Sequence, residues 1–299
     1  MPKSQDPGNS YEAPADLGDL KRQSVRGGMI TLFSQGISIL IQLASTVILS
    51  RLLSPNDYGT VAMVLAITSF VGMFNDLGLS SAAIQKKDLT DAQQSNLFWL
   101  NVAMGTTLSV IIALAAPLVA RFYGRSELLP ITLALSPSLI IASLGAQHHT
   151  RLVREMQFIR KATATIAGAI VALGVAVICA RNGLAYWSLV WSNLTGAAVT
   201  TTLVFVLSPF WPSWYRKGAG IRSMVGFGVN ISGFNIVNYL HRNLDNVLIG
   251  KFWGSGPLGL YSKAYSLLMF PNQTVRGPIN AVAFPALSKL QGNPEAFRI

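Results

Sequence analysis

Apolar residues in this chain form long, nearly unbroken stretches separated by short polar breaks. Eight stretches approach the roughly 20 apolar residues needed to cross a bilayer: 28–50, 58–79, 96–120, 128–148, 162–180, 184–207, 224–251 and 259–287. The breaks are compact, as in Leu53-Ser-Pro-Asn-Asp57, Gln85-Lys-Lys-Asp88, 121–127 and 211–220. A segment in hydrocarbon must satisfy its own backbone polar groups, and runs of this length without strict alternation do so as helices, not barrel strands. The pattern therefore predicts an all-α, polytopic helical membrane protein with about eight transmembrane helices. Pro137, in the middle of the fourth run, predicts a kink there.

Composition removes the competing classes. Hydrophobic residues make up 51% of the 299 and charged residues 12%, with a mean hydropathy of +0.44. A soluble domain carries about 25% charged residues, so a large soluble enzyme, a disordered chain and a nucleic-acid module all fit poorly. The net charge of +11 comes from bases in short loops between apolar runs, where they set topology and meet anionic lipid rather than nucleic acid. With a cytoplasmic N-terminus, fifteen Lys and Arg fall on the inner side and six on the outer, which predicts that orientation. One cysteine, Cys179, and three histidines leave no internal disulfide and no His-rich metal centre, so no metal and no cofactor are expected. Residues 1–27, with Pro2, Pro7, Pro14 and scattered acids, read as a disordered cytoplasmic tail.

The chain also resembles itself. A gapless shift of 200 residues superposes the first run on the seventh and the second on the eighth. It matches Gly28 with Gly228, Leu40 with Leu240, Val47 with Val247, Gly59 with Gly259 and Phe70 with Phe270. Gln35, Ser38, Gln42, Ser45 and Thr46 correspond to Asn235, Asn238, Arg242, Asp245 and Asn246, each set spaced to share one helix face. Six spans between copies make the repeats parallel, as in transporters whose halves pack around a central site. The expected organisation is a six-helix membrane lobe over 28–210, a cytoplasmic linker over 211–223 and the start of a second lobe over 224–299. Only two spans of that second copy precede Ile299, so the chain reads as a fragment of a longer transporter.

Candidate chemistry lies inside the spans. A charge near the bilayer centre costs about 2.5–3.5 kcal/mol on insertion scales and therefore faces protein or a wet cavity. Arg242 and Asp245, with the amides Asn235 and Asn238 on the same face, read as a substrate-binding cavity wall; alternatively, the two charges simply neutralise each other. Arg276 would serve an anionic substrate, and Asp76 and Asp245 cation coupling; snorkelling to the headgroups explains Asp76 and Arg276 equally well. Gln35 and Gln42 are the first-repeat counterparts of the cavity wall. Arg51, Lys251 and Lys263, with Tyr58, Trp253, Tyr261 and Tyr265, read as an interfacial belt. His148 and His149 fall at the cytoplasmic end of the fourth span. No nucleophile–base pair, carboxylate dyad or nucleotide loop is present, so the chain is not expected to be an enzyme.

The stretches Ser50-Arg-Leu-Leu-Ser-Pro-Asn-Asp-Tyr-Gly59 and Phe74-Asn-Asp-Leu-Gly-Leu-Ser-Ser81 resemble the opening of bacterial Wzx-type polysaccharide-transporter flippases, of the colanic-acid-exporter-like branch. So do Asn243-Leu-Asp-Asn-Val-Leu-Ile-Gly250 and Leu258-Gly-Leu-Tyr-Ser-Lys-Ala-Tyr265. The resemblance implies flipping of polyprenyl-pyrophosphate-linked oligosaccharide repeat units across the bacterial inner membrane. Partners would be that lipid-linked substrate, membrane lipid and a polysaccharide polymerase or other assembly proteins. Two alternatives stay open: a cation-coupled exporter of amphipathic small molecules on the same scaffold, and a non-transporting scaffold of a polysaccharide-assembly complex.

Overall fold

The computed structural model describes residues 17–86, 89–216, 226, 239 and 243–269. Eight helices run through its first part: α1 (Leu17–Ser50), α2 (Pro55–Gly72), α3 (Leu79–Gln85), α4 (Asp91–Tyr123), α5 (Leu128–Leu135), α6 (Ser138–Arg154), α7 (Phe158–Arg181) and α8 (Trp187–Leu207). Residues 243–253 (α9) and 255–269 (α10) are helical as well. No strand occurs among the described residues. Five segments there are long and apolar enough to cross a membrane: Gly27–Ser50, Asp91–Tyr123, Leu128–Arg154, Phe158–Arg181 and Trp187–Leu207.

Local sequence sets the boundaries. Ser54 and Asp57 form a capping box at the start of α2: the Ser54 N–H donates to Asp57 Oδ2 at 2.9 Å, and the Asp57 N–H donates to Ser54 Oγ at 3.3 Å. Pro55 occupies the first turn, where its missing N–H costs nothing. Thr90 and Gln93 repeat the box at α4, and Gly124 closes that helix at φ +70 with Arg125 N–H bonded back to Ala120 O at 2.9 Å. Pro137 divides the fourth span into α5 and α6, as the sequence predicts.

Two boundaries differ from the hydrophobic pattern. Helix α1 begins at Leu17, so the second part of the stretch read as a tail is helical. The second span stops at Gly72 instead of 79, because the chain turns through 73–78 and restarts as α3. Leu77 (φ 40) and Gly78 (φ 67) are consecutive left-handed residues that no helix accommodates.

The loops sort onto two ends. At one end, Arg154 donates to Ala83 O and Lys86 O (2.7 and 2.6 Å), Arg151 pairs with Asp91 (3.0 Å), and Arg160 reaches Leu207 O (3.1 Å). Trp99 Nε1 donates to Ser213 O at 2.9 Å there, and the Trp99 and Trp214 rings stack. The opposite end collects the α1–α2, α4–α5 and α9–α10 connections, where Arg125 and Asn56 both meet Ser255. Successive long helices therefore alternate in direction. Helices α7 and α8 pack closely through small residues: a Cβ on Gly168 would land on Thr200 Oγ1, and one on Gly196 would lie 2.9 Å from the Ala172 Cβ. The core joins Met63 and Val64 of α2, Val119 of α4, Leu128 and Leu135 of α5, Val190 of α8 and Leu258 of α10.

Helices α2 and α10 cross at two glycines. A Cβ on Gly59 would strike the Ser255 carbonyl, and one on Gly259 would strike the Pro55 carbonyl. Each contact becomes the other when one partner moves 200 residues forward and the other 200 back. The side chains follow suit: Lys263 sits over the Tyr58 ring at 4.2 Å, while Met63 and Leu258 pack together at Gly250. Such reciprocity is what a two-fold axis between repeated helices produces.

Candidate functional site

A cavity of about 460 Å³ opens where α2, α8, α9 and α10 meet, a volume within the range of ligand pockets. Its apolar floor is Val61, Leu65 and Leu189, and its polar groups are Ser192 and Asn193 of α8, Asn243 and Asn246 of α9, and Ser262, Lys263 and Ser266 of α10. Tyr58 and Tyr239 supply rings. The helical periods explain the convergence: Asn243 and Asn246 are three apart on α9, and Ser262 and Ser266 four apart on α10.

The polar groups hold one another only partly. Tyr239 donates its hydroxyl to Ala66 O at 2.8 Å, which ties its side chain to α2. Asn243 Nδ2 donates to Tyr239 O at 3.2 Å. Asn246 Oδ1 and the Tyr58 hydroxyl are buried with no partner among the described residues. A buried acceptor left unpaired costs about 1–3 kcal/mol, which a ligand with donors would recover. The Lys263 ammonium is the single cation in the described lining, no carboxylate lines it, and the ammonium is held over the face of Tyr58. This arrangement offers amides and hydroxyls to a polyol and one fixed positive charge to an anion.

Of the residues singled out from sequence, Asn235, Asn238, Arg242 and Arg276 lie outside the described residues. Asp245 is described but does not line the cavity. Its Oδ2 accepts from the Tyr261 hydroxyl and its Oδ1 from the Asn246 N–H (2.8 Å), so it braces α9 against α10. Gln35 and Gln42 are exposed on α1 and are not among the described residues lining this cavity. Asp76 sits in the turn after α2, where its Oδ1 accepts from Ser80 Oγ at 2.7 Å and from Asn101 Nδ2 at 3.3 Å. His148 is fully buried among Phe98, Phe205 and Phe210 rather than at a helix end facing headgroups.

Tyr58 and Lys263, read as interfacial anchors, line the cavity instead. The cause is the α2–α10 crossing, which turns these faces toward each other. Asn243 and Ser262 were not singled out for the site at all; the spacing of Asn243 and Asn246 was the signal that could have found the first.

The family model described as "Polysaccharide biosynthesis protein" matches residues 48–299. The chain belongs to this polysaccharide biosynthesis protein family. The matched stretch includes every described residue lining the cavity. Among similar members, the lipopolysaccharide biosynthesis protein WzxC of Escherichia coli K12 is 23% identical over 286 residues, 94% of this chain and 57% of its own length. The teichuronic acid biosynthesis protein TuaB of Bacillus subtilis is 27% identical over 272 residues, 90% and 56%. The succinoglycan biosynthesis transport protein ExoT of Rhizobium meliloti is 25% identical over 248 residues, 83% and 50%. The chain spans about half the length of these curated relatives. No solved structure matches it significantly. Its long apolar helices make this family member a multi-pass membrane protein.

Proposed function

We propose that this chain forms the first six-helix lobe and the start of a second lobe of a flippase. The transported substrate is an oligosaccharide repeat unit carried on a polyprenyl pyrophosphate. One observation carries the reading: among the described lining residues a single cation, Lys263, is fixed over Tyr58, and the others are amides, hydroxyls and apolar groups. The pyrophosphate asks for a positive charge, the sugars ask for the amides and hydroxyls, and a lipid tail needs only the apolar rim. A drug-type cavity for cationic amphiphiles would favour carboxylates, and none lines the described wall. The names of WzxC, TuaB and ExoT, all tied to surface-polysaccharide biosynthesis, agree with this substrate class. Polysaccharide polymerase and other assembly proteins are the partners this role would bring. Photo-cross-linking of a lipid-linked oligosaccharide into the cavity is the experiment that tests it.

The proposed location is the bacterial inner membrane, with the N-terminus in the cytoplasm. Support comes from the distribution of Lys and Arg along the sequence, fifteen on the side of the N-terminus against six on the other. Reporter fusions after residues 88, 156 and 216 should be active as cytoplasmic reporters, and fusions after 125 and 183 as external ones. The reverse result would invert the orientation.

A further inference from the structure

We infer that the interior of the first six helices holds a site for one monovalent cation of sodium type, where α4, α6 and the turn after α2 converge. Its ligands are the Asp76 carboxylate, the side-chain oxygens of Asn75 and Asn101, and the Ser143 hydroxyl. This site is separate from the cavity lined by Lys263 and does not depend on what that cavity carries.

Asn75 and Asn101 are 8% and 0% exposed. Asn75 Nδ2 donates to Leu139 O at 3.1 Å, and Asn101 Nδ2 donates to Asp76 Oδ1 at 3.3 Å. Those bonds fix which way each amide points. Both Oδ1 atoms are consequently left buried with no partner among the described residues. Ser143, also fully buried, spends its one proton on Ile140 O at 2.8 Å and keeps only lone pairs for the interior. Ser80 Oγ has likewise given its proton to Asp76 Oδ1, at 2.7 Å. Two buried amide oxygens and the lone pairs of a hydroxyl thus stay unpaired among the described residues, and a carboxylate beside them adds a negative charge.

A Cβ placed on Gly105 of α4 would fall 2.5 Å from Ser143 Oγ and 2.8 Å from Asn75 Oδ1. Both oxygens therefore lie close together against Gly105, where no side chain fits between α4 and α6. Asn101 lies one turn earlier on the same face of α4, and Asp76 follows Asn75 directly. The turn that brings Asn75 and Asp76 in is built on Leu77 at φ 40, a conformation that costs a side-chain-bearing residue about 1–3 kcal/mol and is typically retained where a site needs it.

Ligand type and charge identify the ion. Carboxylate, amide and hydroxyl oxygens suit a hard cation and exclude thiophilic metals. One carboxylate balances one positive charge, whereas a divalent ion would leave an uncompensated charge in a low-dielectric interior. A proton would satisfy one acceptor and leave the other amide oxygen bare.

The test is binding of radioactive 22Na⁺ to the purified protein in detergent at constant ionic strength, with choline as the replacement cation and no oligosaccharide lipid present. We expect saturable binding of about one ion per chain. It should fall at least tenfold in Asp76→Asn and in Gly105→Ala, whose methyl group would push Ser143 and Asn75 apart, and several-fold in Ser143→Ala, which removes one ligand without adding bulk. Size-exclusion profiles identify folded variants, and Ser143→Ala serves if the others misfold. Absence of saturable binding by the unaltered protein would overturn the site and leave water as the filler of the oxygen cluster. Unchanged binding in the folded variants would overturn it as well. Because no oligosaccharide lipid enters the assay, neither result bears on the cavity assignment.

Discussion

Replacing Lys263 with glutamine is expected to abolish export of the lipid-linked oligosaccharide while leaving expression and membrane insertion near normal. Lys263 is the cation of the described cavity wall, and its ammonium lies 4.2 Å from the centre of the Tyr58 ring. Truncating one partner of a desolvated, hydrogen-bonded charge pair costs about 2–5 kcal/mol, so surface polysaccharide should drop by at least tenfold. Lys263→Arg keeps the charge and the ring stacking and should retain a substantial part of the activity. Tyr58→Phe keeps the aromatic face and removes only the hydroxyl, so it should lose less activity than Tyr58→Ala. Tyr58→Ala removes a cation–π contact worth about 0.5–2 kcal/mol and should fall between. Lys251 provides the control. It also sits over a ring, Phe122 at 5.0 Å, but it is exposed outside the cavity and bonded to the Phe122 carbonyl. Lys251→Gln should export normally. Equal loss in Lys251→Gln and Lys263→Gln would mean that both lysines act as interfacial anchors.

The second large effect is steric. Gly59→Val should separate α2 from α10, because any Cβ at residue 59 meets the Ser255 backbone carbonyl, which no rotamer change can move. Overpacking typically costs about 1–3 kcal/mol, and here the strain falls on the contact that closes the cavity. A cysteine pair, Asn56→Cys with Ser255→Cys, on a background lacking Cys179, reads the crossing directly, since these side chains touch. Oxidation should cross-link the pair efficiently when Gly59 is present and poorly in Gly59→Val. Gly259→Val should do the same by symmetry, through Pro55. Gly28→Ala is the comparison, because nothing lies within 4 Å of its Cβ position. Undiminished cross-linking in both valine variants would remove the close crossing.

Much of this architecture is legible in the sequence because lipid makes the code simple. The uncovered apolar faces of α4 (Val110, Leu114, Leu118) and α7 (Ile170, Ile178) read as spans on composition alone. Ser54-Pro55 and Thr90 announce helix starts, Gly124 a helix end and Pro137 a break. The 200-residue shift was visible through sparse matches, and one of them, Gly59 with Gly259, turned out to be the crossing point.

What stayed hidden depends on contacts between distant parts of the chain. The apolar pattern carried the second span on to residue 79. The turn at 73–78 is instead held by the Asn75 bond to Leu139, 64 residues away. Lys263 and Tyr58 have the residue types of a membrane-interface belt, and only the α2–α10 crossing shows that they face each other. Asp245 read as part of a polar cavity wall, and the structure joins its side chain to the Tyr261 hydroxyl. Periodicity assigns a residue to a helix face; it does not say which neighbour that face meets.

In the proposed transport cycle the sugar-bearing headgroup passes through the cavity between α2, α8, α9 and α10. The most direct test of that passage is a polyprenyl-pyrophosphate oligosaccharide carrying a photoreactive group on the sugar, irradiated with the protein in proteoliposomes, with the attachment sites located by mass spectrometry. The account predicts attachment to cavity residues such as Asn243, Asn246 and Ser192, reduced by excess unlabelled lipid-linked oligosaccharide and lost in Lys263→Gln. Attachment confined to exposed residues at the basic end, such as Trp211 and Trp214, with none in the cavity, would contradict it.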